Sequence, residues 1–238
     1  MQHFGIIGYP LDHSFSPTIH NTAFEFYNIN AEYSKIEIEP DKFEEKIISL
    51  KDENWSGFNV TIPHKQHIIP YLDELEPICE RIGAVNTVKV ENNGKWKGYN
   101  TDYTGFIKPI EMETGSLHNC LLIGAGGAAQ AVGFGLLEYT PIHKIVVTNR
   151  TEINGLHLIE KLKLFKEIEY IFIDPGDIGN MNEKFDLIVN TTSVGMGKLK
   201  DKSPVSLNAI WRKETIVYDL IYNPGRTRFL MVAENSCL

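Results

Sequence analysis

Two ionisable residues sit in polar frames: Lys65 in Gly57-Phe58-Asn59-Val60-Thr61-Ile62-Pro63-His64-Lys65, and Asp102 in Gly98-Tyr99-Asn100-Thr101-Asp102. Each frame reads as a buried strand end with hydrogen-bonding side chains gathered at its tip. Val60 and Ile62 are expected to face a core, with Asn59 and Thr61 on the opposite strand face, so that the frame forms a cleft wall. A Lys–Asp pair across a cleft is either a salt bridge or an acid–base unit, in which desolvation eases proton release from the amine and the carboxylate orients it. Spacing alone leaves both readings open. Further on, Gly124-Ala125-Gly126-Gly127-Ala128-Ala129 follows an apolar strand. A proton-transfer pair ahead of a dinucleotide loop implies a pyridine-nucleotide oxidoreductase acting on a polyhydroxylated small molecule.

The loop has the flanks its chemistry needs. Gly124 serves the close turn, Gly126 lets backbone approach a pyrophosphate, and the following helix offers free N–H groups and the positive end of its dipole. Ala129 stands where a third glycine is common, and alanine is tolerated there. A tight structural turn is the alternative. The next strand ends in Asn149-Arg150-Thr151 rather than in the carboxylate that holds the ribose of NAD. Arg150 can grip a 2′-phosphate with its planar fork and Thr151 can add a hydroxyl, so NADP is favoured over NAD.

Other polar groups are weaker signals. His13-Ser14-Phe15-Ser16-Pro17 puts two hydroxyls at a helix start. N-capping explains Ser16, and Ser14 beside it completes a pocket suited to a carboxylate. Asn86-Thr87 interrupts an apolar strand, as a turn or bulge also would. His20, His64 and His67 match no usual metal-ligand spacing, so no metal is expected. Tyr9, Phe24, Phe26 and Tyr27 read as core and helix packing.

The elements that must position these groups alternate between strand and helix, which predicts an α/β protein with largely parallel sheets. Strands are expected at His3–Gly8, Glu32–Ile38 and Phe58–Ile62. Ser16-Pro17 opens a helix with Ile19, Ala23, Phe24 and Tyr27 on one face. Pro40-Asp41 precedes another with Phe43, Ile47 and Leu50 inward. Ile68–Leu75 and Pro77–Ile82 read as helical, and Ala84–Glu91 and Lys95–Tyr99 as a hairpin around Asn92-Asn93-Gly94. After a helix near Tyr103–Glu113 come strand Asn119–Ile123, helix Ala128–Tyr139 and strands Lys144–Thr148, Ile168–Ile173, Asp186–Asn190 and Thr215–Leu220, a doubly wound pattern. The boundary between two domains is placed near Tyr103.

At 238 residues, 42% hydrophobic and 23% charged, the composition is that of an ordinary globular protein. A net charge of -8 with no basic stripe argues against nucleic-acid binding. The three cysteines, Cys79, Cys120 and Cys237, form no metal spacing and fit reduced thiols in a cytoplasm. No signal peptide or bilayer-spanning stretch is read.

Taken together the segments resemble the shikimate dehydrogenase family. The matching stretches are His13–Pro17 with His20-Asn21, Asn59–Lys65, Gly83-Ala84-Val85-Asn86-Thr87, Asn100-Thr101-Asp102, the Gly-rich loop and Asn149-Arg150-Thr151. Asn190-Thr191-Thr192-Ser193-Val194-Gly195-Met196 and Tyr218-Asp219-Leu220-Ile221-Tyr222-Asn223-Pro224 complete the set. They follow family order over nearly the whole chain and are jointly specific. The resemblance implies an N-terminal α/β substrate domain over residues 1–103 and a Rossmann-type NADP domain over 104–238, flanking a cleft. It implies reversible reduction of 3-dehydroshikimate to shikimate with NADPH, in the pathway to aromatic amino acids. By matched position, Ser14 and Ser16 would bind the substrate carboxylate, and Asn59, Thr61, Asn86 and Asp102 the ring hydroxyls. Lys65 and Asp102 would form the catalytic pair. Gly124, Ala125, Gly126, Gly127 and Ala128 would cradle the pyrophosphate, and Asn149, Arg150 and Thr151 the 2′-phosphate. Thr191, Met196, Leu220 and Tyr222 would line the nicotinamide side, Tyr222 also reaching the substrate.

The match stops soon after Thr227-Arg228-Phe229-Leu230, read as the start of a helix ending at Leu238. Family members continue through a Gly-Met-Leu segment and a further helix that gives a glutamine to the substrate. The expectation is a chain of reduced activity and stability with weaker closure on its cofactor. Rival readings are a quinate/shikimate dehydrogenase, a folate-linked dehydrogenase, which the serine pair disfavours, and a shikimate- and NADP-binding relative without turnover. The sequence leaves open whether the chain is a monomer or a homodimer.

Overall fold

In the computed structural model, residues 1–181, 183–205 and 214–236 are described. Gln2–Gly8 forms strand β1, buried over its last four residues. Helix α1 covers Ser16–Phe26, β2 Ala31–Glu37, α2 Phe43–Lys51, β3 Gly57–Val60 and β4 Glu74–Leu75. Helix α3 covers Pro77–Ile82, β5 Thr87–Val90 and β6 Trp96–Tyr99. These strands make one mixed sheet in the order β2-β1-β3-β5-β6-β4. β1 runs parallel to both β2 and β3, whereas β3, β5 and β6 pair antiparallel. The hairpin turns where expected, with Gly94 at φ 80°. Phe43, Ile47 and Leu50 of α2 bury against Ile36, Phe58 and Val60, as the helical spacing predicts. Fully burying such a side chain stabilises by about 1.5–3 kcal/mol.

The remainder comprises α4 (Asp102–Ile107), β7 (Asn119–Ile123), α5 (Gly127–Tyr139), β8 (Lys144–Thr148), α6 (Glu152–Lys163), β9 (Glu169–Ile173), β10 (Leu187–Asn190), β11 (Ile216–Asp219) and α7 (Arg228–Ser236). Its sheet is wholly parallel, in the order β11-β10-β7-β8-β9. Ala129–Leu137 of α5 is buried on every side, which fits a helix that is apolar all round. The chain separates into two compact units, Met1–Thr101 and Asp102–Leu238.

Several expectations need correction. Phe15, not Ser16, occupies the N-cap of α1, and no side chain caps the helix. Ser16 and Pro17 already lie in the first turn, and the Ser16 N–H donates to Ser14 Oγ at 3.4 Å. Ile19 and Tyr27 point to solvent, as do Phe26 and Tyr9, because α1 turns His20, Asn21 and Phe24 toward β2 and β1 instead. The strand carrying Asn59 ends at Val60, so alternation stops there and Ile62 is exposed. Ile68–Leu75 is no α-helix: a 3-10 turn at Ile69–Tyr71 leads directly into β4. The helix after Thr101 ends at Ile107, followed by a 3-10 turn at Lys108–Ile110, where Pro109 removes a backbone donor. Cys237 and the expected helix end at Leu238 lie outside the described residues; Cys79 and Cys120 are buried free thiols.

His64, set aside as a metal ligand, pins the loop that carries Lys65. It is buried and stacked on Phe43 at 4.2 Å, and its Nε2 donates to the Ile38 carbonyl at 2.7 Å. The other ring nitrogen, Nδ1, has no partner. Burial, together with His67 nearby, holds the imidazole below its ordinary pKa of 6.5, against the opposing effect of the Ile38 bond. A histidine buried neutral stabilises fully above its unfolded value and loses that contribution as pH falls through its lowered folded value. Stability should therefore drop below about pH 6.5, by at most about 1.4 kcal/mol per pH unit from this group. Thermal melts from neutral to acid pH should be less steep for His64→Phe than for the parent. Equal slopes would remove His64 as a source of acid sensitivity.

Candidate functional site

Within the first unit, the strand ends converge on a continuous line of polar side chains. β2 supplies Tyr33, which is 4% exposed, and β3 supplies Asn59 beside it. The Tyr33 hydroxyl donates to Asn59 Oδ1 at 2.6 Å. Asn59 Nδ2 then donates to Thr87 Oγ1 at 3.2 Å, and the Thr87 hydroxyl donates to Asn86 Oδ1 at 3.0 Å. Asn86 Nδ2 donates to Thr101 Oγ1 at 2.9 Å, while the Thr101 N–H returns a bond to Asn86 Oδ1 at 3.0 Å. Asn86-Thr87 is thus neither a bulge nor a turn; it is the entry to β5, with Asn86 tied to the Asn100-Thr101 segment.

The backbone fixes Thr61 at the end of β1 and Lys65 beside Val85, next to this line. Thr61 donates its N–H to the Ile7 carbonyl at 2.8 Å, at the end of β1. Gly8 is required there, because a Cβ would collide with Thr61 Cγ2. The half-buried Lys65 accepts the Val85 N–H on its carbonyl at 2.8 Å, which sets it one residue from Asn86. Asp102 follows Thr101 directly and opens α4 as the first residue of the second unit. Ser14 and Ser16 are both half-buried.

Tyr33 was missed by reading the sequence, since one tyrosine in an alternating strand looks like core. Burial pushes its phenol well above the ordinary value, and a side-chain hydrogen bond with Ser16 works against that rise. His20 stacks on its ring at 4.3 Å.

In the second unit the Gly-rich loop leaves β7 at the place where the strand order reverses, between β8 and β10. In parallel sheets of this kind ligands bind outside the carboxyl ends of the strands at that point. Gly124 has φ 110°, and a Cβ on it would collide with Thr191 Oγ1. Its N–H donates to the Thr148 carbonyl at 2.8 Å, which joins the loop to the end of β8. Gly126 is exposed at the N-cap of α5, a Cβ there would meet nothing within 4 Å, and no side chain caps the helix. Free N–H groups over open space fit a pyrophosphate. Ala125 and Ala128 are half-buried on either side.

At the end of β8, Asn149 Nδ2 donates to the Thr151 carbonyl at 2.8 Å, so the turn holds itself. Arg150 is exposed and has no ion-pair partner among the described residues. Thr148 Oγ1 is buried without a hydrogen bond, and Thr151 caps α6 without a side-chain bond. These residues fit a phosphorylated ribose.

The loop after β10 is locked. The Thr191 hydroxyl donates to the Ile123 carbonyl at 2.7 Å. Asn190 Nδ2 donates to Asp219 Oδ1 at 3.0 Å, and Asp219 Oδ2 accepts the Thr227 hydroxyl at 2.6 Å. Burial pushes the Asp219 carboxyl above its ordinary value, opposed by donors from Thr227, Ile221 and Asn190. Asp219 and Thr227 therefore fix the turn that presents half-buried Leu220 and exposed Tyr222; Met196 is also exposed. Among the described residues no group of three or more His, Cys, Asp or Glu side chains is placed to hold a metal.

Comparison with known proteins adds independent findings. A family model described as the shikimate dehydrogenase substrate binding domain matches residues 6–88. A shikimate dehydrogenase (NADP(+)) of Dictyoglomus thermophilum is 42% identical over 234 residues, covering 98% of this chain and 82% of the relative. A crystal structure of a shikimate dehydrogenase in complex with NADP+ superposes with a TM-score of 0.86 at 37% identity, covering 100% of this chain and 82% of that one. The shikimate dehydrogenase of Thermus thermophilus, solved with NADP(H) and shikimate, gives 0.82 at 30% identity, covering 100% and 85%.

Proposed function

The chain belongs to the shikimate dehydrogenase family, and we propose that the side chains gathered on its two units carry out that family's reaction. The protein is an NADP-dependent oxidoreductase that interconverts 3-dehydroshikimate and shikimate, a step in aromatic amino acid biosynthesis. NADPH, when bound, supplies the hydride.

The chain's own residues supply the rest. The first unit is the substrate domain and the second the NADP domain. Ser14 and Ser16 receive the substrate carboxylate, since two hydroxyls at an uncapped helix start offer donors to an anion. Asn59, Thr61 and Asn86 hold ring hydroxyls, together with Asp102 and Tyr222. As the carbonyl is reduced its oxygen gains negative charge; the Lys65 ammonium stabilises that charge and delivers the proton, and Asp102 orients it. Gly124 to Ala128 hold the pyrophosphate, and Asn149, Arg150 and Thr151 the 2′-phosphate. Thr191, Met196 and Leu220 flank the nicotinamide.

The observation that carries this reading is the polar line from Tyr33 through Asn59, Thr87 and Asn86 to Thr101. It runs past the Val85–Lys65 backbone bond and ends at the residue before Asp102, so the donors are fixed before any substrate arrives. Purified chain mixed with shikimate and NADP⁺ should form NADPH, with much weaker signals from NAD⁺ or quinate. A folded protein that binds both ligands without turnover would instead support the non-catalytic relative. Equal rates with quinate and NAD⁺ would support the quinate branch.

The reaction is placed in the cytoplasm, in keeping with the free thiols of Cys79 and Cys120. Among the described residues no helix is long and apolar enough to cross a membrane. The reading as a homodimer is tested by sedimentation: a single species at 27.0 kDa would remove it.

A further inference from the structure

The pair His20-Asn21 has no part in the roles above, yet both residues are spent on Tyr33. Asn21 Nδ2 donates to the Tyr33 carbonyl at 2.9 Å, and Asn21 Oδ1 accepts the Tyr33 N–H at 2.8 Å. β2 is an edge strand, so these two backbone groups have no neighbouring strand on that side. Asn21 stands in for the missing strand and fixes α1 against β2. His20 fixes the ring, stacked at 4.3 Å with planes 8° apart. The helix held in this way is the one that begins with Ser16.

We infer that Tyr33 is a positioning residue for shikimate recognition, its hydroxyl setting the Asn59 amide through the 2.6 Å bond to Oδ1. The inference rests on the substrate-binding role proposed above for Asn59. An asparagine amide has two orientations of nearly equal shape, and its hydrogen-bond partners decide between them. Tyr33 can reach Asn59 only as a donor if Asn59 presents Oδ1, and that commits Nδ2 to Thr87 and to the Asn86 carbonyl at 3.4 Å. Thr87 then donates to Asn86 Oδ1, which also accepts the Thr101 N–H at 3.0 Å. The Tyr33 bond thus adds to the Asn86 carbonyl contact in fixing the Asn59 amide, in a half-buried setting where such bonds reinforce one another, while Asn86 is fixed separately by the Thr101 N–H. Without the hydroxyl, Asn59 Oδ1 loses the Tyr33 donor and the Asn59 amide is held through Nδ2, on Thr87 and on the 3.4 Å contact to the Asn86 carbonyl.

Tyr33→Phe keeps the ring and its stacking while removing the hydroxyl. The KM for shikimate should rise roughly tenfold or more, the effect of one lost buried hydrogen bond, with kcat at saturating shikimate and the Kd for NADP⁺ close to parent values. A lowered melting temperature with unchanged KM for shikimate would reduce Tyr33 to a packing residue and overturn the inference. Asn59→Ala and the Asn59→Ala/Tyr33→Phe pair test the route. If Tyr33 acts through Asn59, the double variant binds shikimate more tightly than the product of the single losses predicts; fully multiplicative losses would overturn the inference. If Asn59→Ala leaves the KM for shikimate unchanged, the role proposed for Asn59 falls, and this inference with it. Asn21→Ala loosens Tyr33 from outside the line and should move the KM in the same direction. Should Tyr33→Phe fail to fold, an unchanged KM in Asn21→Ala overturns the inference.

Discussion

Lys65→Ala is expected to lower turnover roughly 10²–10⁴-fold, the range for losing a positioned general acid or base, while NADP⁺ binding stays near the parent value. The fold should survive, because a bond that ties Lys65 into the fold comes from its backbone: its carbonyl accepts the Val85 N–H at 2.8 Å whatever side chain the residue carries. The loop is held independently by His64 on the Ile38 carbonyl and by the His64 N–H on the Thr61 carbonyl at 2.9 Å. A loss of rate can then be read as chemistry rather than unfolding, and a melt of each variant confirms it.

Single-turnover hydride transfer, measured with NADPH and 3-dehydroshikimate in rapid mixing, separates this step from product release. Lys65→Arg should not restore the rate: guanidinium keeps the charge but does not give up its proton in water. If Lys65→Ala retains most of the turnover, Lys65 leaves the mechanism and the polar line through Asn86 must find its donor elsewhere.

The sequence made some of this legible and hid other parts for physical reasons. Apolar runs such as Asn119–Ile123 and Lys144–Thr148 fell at the observed strand bounds, because a parallel sheet buried on both faces requires unbroken apolar stretches. The Gly-rich loop was readable because Gly124 answers a backbone need, a φ of 110° beside Thr191, that few other residues meet. α1 was misread in part: Ile19 and, just past its end, Tyr27 face solvent, and its inward side carries His20 and Asn21 beside the expected Phe24. Periodicity reports apolar faces, and a helix that docks by hydrogen bonds to an edge strand escapes it. Tyr33, Asp219 and Thr227 escaped for a related reason. Their importance lies in partners far along the chain, such as Asn59 for Tyr33 and Asn190 for Asp219, and only the sheet register brings those together. Lys65 and Asp102 were singled out by their polar frames; the backbone ties Lys65 to Val85, next to Asn86, and Asn86 holds the Thr101 N–H, one residue before Asp102.

Arg150→Ala is expected to raise the Kd for NADP⁺ by about 10–100-fold, the equivalent of one or two charge-assisted hydrogen bonds to a phosphate. The Kd for NAD⁺, which has no 2′-phosphate, should change little. The loop geometry supports a local effect: Arg150 is exposed, and the turn around it is held by Asn149 on the Thr151 carbonyl rather than by the guanidinium. Gly124 keeps its bond to the Thr148 carbonyl in the variant, so the pyrophosphate loop stays in place. Arg150→Asp should go further and reverse the preference, because a carboxylate repels the 2′-phosphate but accepts hydrogen bonds from a free ribose hydroxyl. Titration of each variant with both dinucleotides, at low and raised salt, reads this directly: screening should narrow the parent's preference for NADP⁺ and leave NAD⁺ affinity nearly constant. Equal losses for the two dinucleotides would mean that Arg150 shapes the loop rather than reading the phosphate, and the basis of NADP selectivity would then lie with Asn149 and Thr151.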